Sequence, residues 1–481
     1  MSRWVDNEAE INAALKQDLG KSFFEAQITD IKWIQSDIVF ITKNLEKWAK
    51  DETPADIPLK DLFIRPKIRK DPLGCVLIIG PFNFPFTLTL GPLVGAIAAG
   101  NTVIIKPSEQ APASAALIQK LLESTLDPSC YRVINGGVAE TKALLAEKWD
   151  KIFFTGSANV GKIVAQAAAP HLTPVALELG GRNAAIVTQN ANLKVAASRL
   201  LWGKTFNTGQ CCLSPNHVLV HKEVLLPLMK EFEAARAQFW PDGTRDSPDY
   251  ARMISRQHFS RLKKMLDDTK GKVLMGGRMD RDEKYIEPTV IQVSSLDDSL
   301  LAEESFGPLM PIMTYDSLDQ AISIANAIHE TPLALYPFGS KEEVGRIIRE
   351  TRSGGVSIND TVSHGTISTI EFGGVGDSGM GSYRGRASFE CFVHRRVVTN
   401  TPTWMEKILA IRYPPYHGKL DNYIRLVVLK PNFDRDGNVK TGLLRYLLTL
   451  GSGTVSGGVL RAAVITVVVL FLKQAIQNRK S

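Results

Sequence analysis

Five cysteines in 481 residues, at positions 75, 130, 211, 212 and 391, are too few and too scattered for a disulfide framework. None has the paired spacing of a zinc or iron–sulfur ligand set, so no metal site is expected. No secretory signal opens the chain, and with this cysteine usage that points to a reducing compartment. The apolar run 462–472 holds 11 residues, short of the ~20 that a spanning helix needs. Most of the chain also lacks net charge. Twelve of the 57 Lys+Arg and four of the 50 Asp+Glu lie in 401–481, so that segment carries +8 and the rest −1. A neutral body argues against a nucleic-acid enzyme, and a basic tail argues for an anionic surface, most simply a membrane.

What is present reads as a folded enzyme of more than one domain, with 44% hydrophobic and 22% charged residues. Apolar spacing of three and four predicts helices over Glu8–Leu15 and Phe23–Trp48, separated by the stop Leu19-Gly20. A proline-rich connection, 51–71, follows. Short apolar runs then alternate with helical stretches: Cys75–Ile79, Thr102–Ile105, Tyr131–Ile134, Lys151–Phe154 and Val175–Leu177. That alternation describes a doubly wound α/β sheet. A dinucleotide bound to such a sheet lies across the strands' carboxyl ends, its phosphates at a helix N-terminus. Phe154-Thr-Gly-Ser-Ala-Asn-Val-Gly161 is the candidate turn, although it is not Gly-x-Gly-x-x-Gly and by itself more often marks a plain strand-to-helix turn. From Cys212 a second α/β unit is expected, with strands at Val218–Val220 and Lys272–Met275.

The chemistry concentrates in three segments. Phe206-Asn-Thr-Gly-Gln-Cys-Cys-Leu-Ser-Pro215 carries paired thiols, Leu177-Glu-Leu-Gly-Gly181 sets Glu178 between two leucines, and Gly80-Pro-Phe-Asn-Phe-Pro85 carries Asn83. A nucleophilic thiol needs a base within reach, and an aldehyde needs a donor for the oxyanion formed on attack. The reading is that Cys212 attacks, Glu178 moves protons and Asn83 steadies the oxyanion. The dipeptide Cys211-Cys212 alone also fits a buried pair packing as small hydrophobes.

In these segments the chain resembles the aldehyde dehydrogenase superfamily. The nucleophile of that family stands second after Gly-Gln, its base opens Glu-Leu-Gly-Gly, and here Glu178 and Cys212 are 34 residues apart, as in the family. The resemblance spans about 12–400 and implies an aldehyde dehydrogenase-like fold. That fold has a Rossmann-type cofactor domain (1–210, with the N-terminal helices), an α/β catalytic domain (211–400) and a small oligomerisation element. A hydrophobic tail (401–481) follows. The resemblance puts Lys106 and Glu109 on the adenine ribose, Gly156, Ser157 and Gly161 at the phosphates, and Glu304 and Phe306 beside the nicotinamide. The implied cofactor is NAD, since a carboxylate near the 2′ position repels the extra phosphate of NADP, although the similar class accepts both. Asn359 resembles a residue lining the active-site funnel. Arg182, Phe82 and Ser305 depart from the usual lysine, tryptophan and branched apolar residue, and the N-terminus is short of one helix.

The phrase 372–396 most resembles fatty aldehyde dehydrogenases. The expected activity is NAD(P)-dependent oxidation of long-chain or otherwise apolar aldehydes to acids, in a homodimer attached to a membrane on its cytosolic face through the tail. One alternative is a dehydrogenase specialised for apocarotenoid or other pathway aldehydes; another is a non-catalytic, membrane-tethered binding protein.

Overall fold

The computed structural model describes residues 2–428, 431, 433–437, 459 and 461–468. They form two compact units, Met1–Thr53 with Lys67–Val398, and Pro54–Pro66 with Thr399–Ser481.

In the first unit, helix Glu8–Leu19 ends at Gly20, whose φ of 62° suits glycine and whose N–H donates to the Lys16 carbonyl. The helix expected from Phe23 is present but interrupted. Ser22 caps Phe23–Ala26, a π turn spans Gln27–Ile31, and Lys32–Ala49 follows. That wide turn presents Thr29, Asp30 and Ile31 to the interior together.

The strands, in chain order, begin with β1 (Lys67–Pro72), β2 (Cys75–Ile79), β3 (Thr102–Lys106), β4 (Tyr131–Val133), β5 (Lys151–Thr155) and β6 (Val175–Glu178). Next come β7 (Ala184–Val187), β8 (His217–His221), β9 (Lys272–Met275), the hairpin β10 (Met279–Asp280) and β11 (Tyr285–Ile286), and β12 (Thr289–Gln292). The last are β13 (Leu309–Tyr315), β14 (Ala334–Phe338), β15 (Gly355–Val356), β16 (Gly379–Met380) and β17 (Val393–Val398).

The cofactor sheet has the order β16-β6-β5-β2-β3-β4, with β2 to β6 parallel and β16 antiparallel at the edge. Alternate residues serve opposite faces. Val76, Ile78 and Phe153 enter one core with the N-terminal helices, while Leu77, Ile79, Ile152 and Phe154 enter another beside Val164. Burying each such aliphatic side chain stabilises by ~1.5–3 kcal/mol, which is why these strands read as unbroken apolar runs. Chain order reverses between β2 and β5, and ligands of doubly wound sheets bind at that switch point.

The second sheet runs β15-β14-β7-β8-β13-β12-β9, all parallel except β9. It takes in β7, upstream of Cys212, and β16 returns to the cofactor sheet, so by sheet membership the exchange falls between β6 and β7. The glycine-rich segment from Phe372 is packed closely. Phe372 bridges to Tyr383, and a Cβ on Gly374 would lie 2.1 Å from the Ser378 carbonyl oxygen. Its role here is to add β16 beside Glu178, which pairs with Gly379.

In the second unit, Phe63 and Trp404 pack edge to face at 5.7 Å, and helix Leu420–Val427 exposes Leu420, Tyr423, Ile424 and Val427. Of the apolar run 462–472, residues 462–468 are helical and exposed, and 469–472 lie outside the described residues. Among the described residues no helix is long and apolar enough to cross a membrane.

Candidate active site

The turn that carries Cys212 is set by backbone that few sequences adopt. Asn207, Thr208 and Gly209 all have positive φ, at 50°, 55° and 75°. A Cβ on Gly209 would lie 2.3 Å from the Gly307 carbonyl oxygen, so glycine is required there. Such strain persists only where surroundings over-determine it. The Gln210 amide does part of this, accepting from the Ile254 N–H (2.9 Å) and donating to the Arg252 carbonyl (2.9 Å). Asn183 holds the other side: its amide donates to the carbonyls of Cys212 (2.7 Å) and Ser214 (3.0 Å), and its oxygen accepts from the Ala334 N–H. The Tyr336 hydroxyl donates to the Leu213 carbonyl.

A hydrogen bond with the Cys211 thiol and burial push the Cys212 thiol well above its usual range, with the negative charges of Glu304 and Glu178 acting in the same direction. The charges of both carboxylates thus reach the Cys212 thiol. Glu178 ends β6 and is 4% exposed. Neither carboxyl oxygen has a hydrogen-bond partner among the described residues, and burial holds the group well above the usual carboxylate range. A base whose proton affinity is raised in this way is stronger once ionised.

Glu304 is pushed up to about 7 by burial, opposed by the Gly181 N–H and the charges of Lys204 and Arg261. Arg261 fixes this segment through the carbonyls of Glu304 and Ser305. Ser305 hydrogen-bonds to buried Lys204 at 3.0 Å, which explains a polar residue at that position. Burial lowers Lys204 to about 7. The Phe306 ring meets Phe82 edge to face at 5.8 Å, joining this segment to the Asn83 loop. Arg182 donates to the carbonyls of Leu301 and Ala302, closing the end of the short helix Ser299–Ala302.

Asn83 lies between β2 and helix Thr87–Ala98, 3% exposed. Its main-chain carbonyl accepts from Lys21 Nζ at 3.2 Å and from the Asn207 amide at 3.0 Å. The Asn207 amide also donates to the Gln210 carbonyl at 3.0 Å, linking the Asn83 loop to the Cys212 turn.

The predicted phosphate turn follows β5 at the switch point. Ser157 caps helix Ala158–Ala168 by accepting from the Val160 N–H, and a Cβ on Gly161 would meet Leu179 at 2.7 Å, so this glycine lets helix and strand approach. Lys106 ends β3, buried, and its ammonium pairs with Glu109 at 2.6 Å. The donor set fits a dinucleotide: a helix N-terminus facing the crevice, a carboxylate at the end of the neighbouring strand, and orphaned Thr155 and Glu178 oxygens at the strand ends. Asn359 is exposed and accepts from the Gly339 N–H.

Reading the sequence missed Lys21, Asp30, Asn183, Lys204 and Asn207. Asn207 sits inside the thiol segment, and Asn183 directly follows Glu-Leu-Gly-Gly-Arg, so proximity to a motif is a usable signal for both. Lys21 and Asp30 stand far from the three segments that carry the chemistry, and only the fold shows their use.

The aldehyde dehydrogenase family model matches residues 3–398. Among curated relatives, the beta-apo-4'-carotenal oxygenase of Neurospora crassa is 52% identical, covering 96% of this chain and 87% of its own. Aldehyde dehydrogenase family 3 member B1 of Mus musculus is 44% identical, covering 86% and 88%. A solved structure of AldH from Staphylococcus aureus in a substrate-bound state superposes with a TM-score of 0.84 at 42% identity, covering 87% of this chain and 91% of that one. The chain belongs to the aldehyde dehydrogenase family, whose members are NAD(P)-dependent oxidoreductases.

Proposed function

We propose that the chain oxidises long-chain, apolar aldehydes to carboxylic acids with NAD(P), through a thioester at Cys212. The observation that carries this reading is the Asn207 amide, which ties the Asn83 loop to the Cys212 turn beside Glu178. Cys212 sulfur adds to the aldehyde carbon as Glu178 takes the thiol proton. The Asn83 amide and the Cys212 N–H hold the oxyanion, worth ~3–4 kcal/mol per donor in comparable sites. NAD(P), when bound, supplies the hydride acceptor. Glu178 releases that proton to solvent, takes one from the water that attacks the thioester, and passes it to the Cys212 sulfur as the acid leaves and the thiol reforms. Lys106 and Glu109 are assigned to the ribose, Gly156, Ser157 and Gly161 to the phosphates, and Glu304 and Phe306 to the nicotinamide side.

The tail is assigned to membrane attachment on a cytosol-facing surface, supported by its +8 charge and by the exposed Trp404, Tyr416, Leu420, Tyr423 and Ile424. A homodimer belongs to the same reading, with the exposed pair β1 and β17 as its candidate element. One further reading, oxidation of an apocarotenoid aldehyde, is favoured by the 52% identity to the Neurospora crassa enzyme, which extends through 96% of this chain.

The test is NADH formation with hexadecanal, a short water-soluble aldehyde and an apocarotenal, in wild type and Cys212→Ala. Cys212-dependent turnover of hexadecanal above the short aldehyde is expected. Preference for the apocarotenal selects the second reading, and acid formation at the wild-type rate by Cys212→Ala overturns both.

A further inference from the structure

The Asn83 carbonyl oxygen has two lone pairs, and two buried donors fill them. Lys21 Nζ, 1% exposed, comes from the residue after helix Glu8–Leu19 and its Gly20 stop. The Asn207 amide, fully buried, comes from the left-handed turn ahead of Cys212. Each donor is itself fixed. Lys21 pairs with Asp30 at 2.9 Å and lies 4.4 Å from the Phe84 ring centre. The second Asp30 oxygen accepts the N–H groups of Phe86 and Thr87, both at 3.2 Å, at the start of the helix that follows Asn83. Asn207 is held in its positive-φ conformation by the Glu25 carboxylate, which accepts its backbone N–H at 3.2–3.3 Å.

The consequence is geometric. A buried lysine–aspartate pair is weak evidence for stability, because desolvation offsets much of the attraction. Here it grips the segment that runs on from Asn83 at two points: the Asn83 carbonyl through Lys21, and through Asp30 the N–H groups three and four residues on. The same carbonyl is tied by one side chain to the Gln210 carbonyl, two residues before the nucleophile. An oxyanion donor is effective only when aimed at the position the oxygen will occupy, and ~1 Å of misplacement can cost ~100-fold.

We propose that Lys21 and Asn207 are positioning residues for the aldehyde addition step, acting through the main chain of Asn83 to set its side-chain amide relative to Cys212. This rests on the reading of Asn83 as the oxyanion donor. The N-terminal helices thereby contribute to catalysis without touching substrate or cofactor.

The test is a double-mutant cycle on kcat/KM for the aldehyde, using Lys21→Met, Asn207→Ala and Asn83→Ala alone and in pairs. Lys21→Met is expected to lower kcat/KM about tenfold or more, leave KM for NAD within about twofold, and have no further effect once Asn83 is alanine; Asn207→Ala behaves alike. Lys21→Arg, which keeps the charge and a donor, restores most of the loss. If Lys21→Met does not fold because Asp30 is left unpaired, Lys21→Met with Asp30→Asn removes both charges while keeping an acceptor for Phe86 and Thr87. An undiminished kcat/KM, or the same fold loss with and without Asn83, overturns the proposal. Failure of the underlying reading is seen separately, as Asn83→Ala alone turning over at the wild-type rate.

Discussion

A side chain at Gly180 would collide with Glu304: a Cβ there lies 2.2 Å from Glu304 Oε2. The Gly180 backbone conformation is open to any residue, so the glycine is required by space alone. It brings the Glu-Leu-Gly-Gly segment against the carboxylate assigned to the nicotinamide side, two residues beyond the base.

Gly180→Ala therefore moves a carboxylate and leaves the fold intact, because the atom met is the far end of a flexible side chain. KM for NAD is expected to rise about tenfold, equivalent to ~1.4 kcal/mol, with a melting temperature within a few degrees of wild type. Steady-state kinetics with varied NAD at saturating aldehyde reads this. An unchanged KM for NAD would show that Glu304 can shift without consequence, and would remove it from the cofactor site.

Glu25 makes stability pH-dependent in a defined direction. Burial raises its carboxyl from 4.5 to about 7, only partly offset by Lys21 and by the Asn207 N–H. The folded state thus holds this proton more tightly than the unfolded chain. Its contribution is fully present below about pH 4.5 and is lost as pH rises through about 7. Glu25→Gln, whose amide oxygen still accepts from Asn207, removes that loss. The melting temperature of the variant relative to wild type should rise by a few degrees between pH 5 and pH 8. A constant difference across that range would place the titration elsewhere.

The cofactor sheet was legible because its strands are buried on both faces, so each appears as an unbroken apolar run such as Val76-Leu-Ile-Ile79 ended by a turn. β7, Ala184-Ala-Ile-Val187, is equally buried but short and alanine-rich, and its sequence does not say which sheet it joins. The proposed reacting groups, Cys212, Glu178 and Asn83, were singled out because each sits in a short segment that resembles an aldehyde dehydrogenase motif. Their supports were not. A carbonyl can be held by any donor that reaches it, so Lys21, 62 residues before Asn83, carries no local signal. The π turn that presents Asp30 is likewise invisible to a three-and-four periodicity, which passes through it unchanged.

Glu109 offers a test of cofactor choice that is independent of the thiol chemistry. Its carboxylate pairs at 2.6 Å with Lys106, which is buried at the end of β3, and is itself partly exposed toward solvent. A lysine and a carboxylate in this position can hydrogen-bond ribose hydroxyls, and the negative charge repels a 2′-phosphate. Glu109→Gln keeps the side-chain shape and one acceptor while removing that charge, and leaves the Lys106 ammonium facing the site without its counter-ion. The ratio of kcat/KM for NADP to that for NAD is therefore expected to rise about tenfold, mostly through a lower KM for NADP, while the rate with saturating NAD changes little. Added salt should shrink the difference, since a half-exposed charge is screened. A ratio that stays at the wild-type value would mean that the 2′ position lies away from Glu109, and that the Lys106–Glu109 pair serves only to close the end of β3.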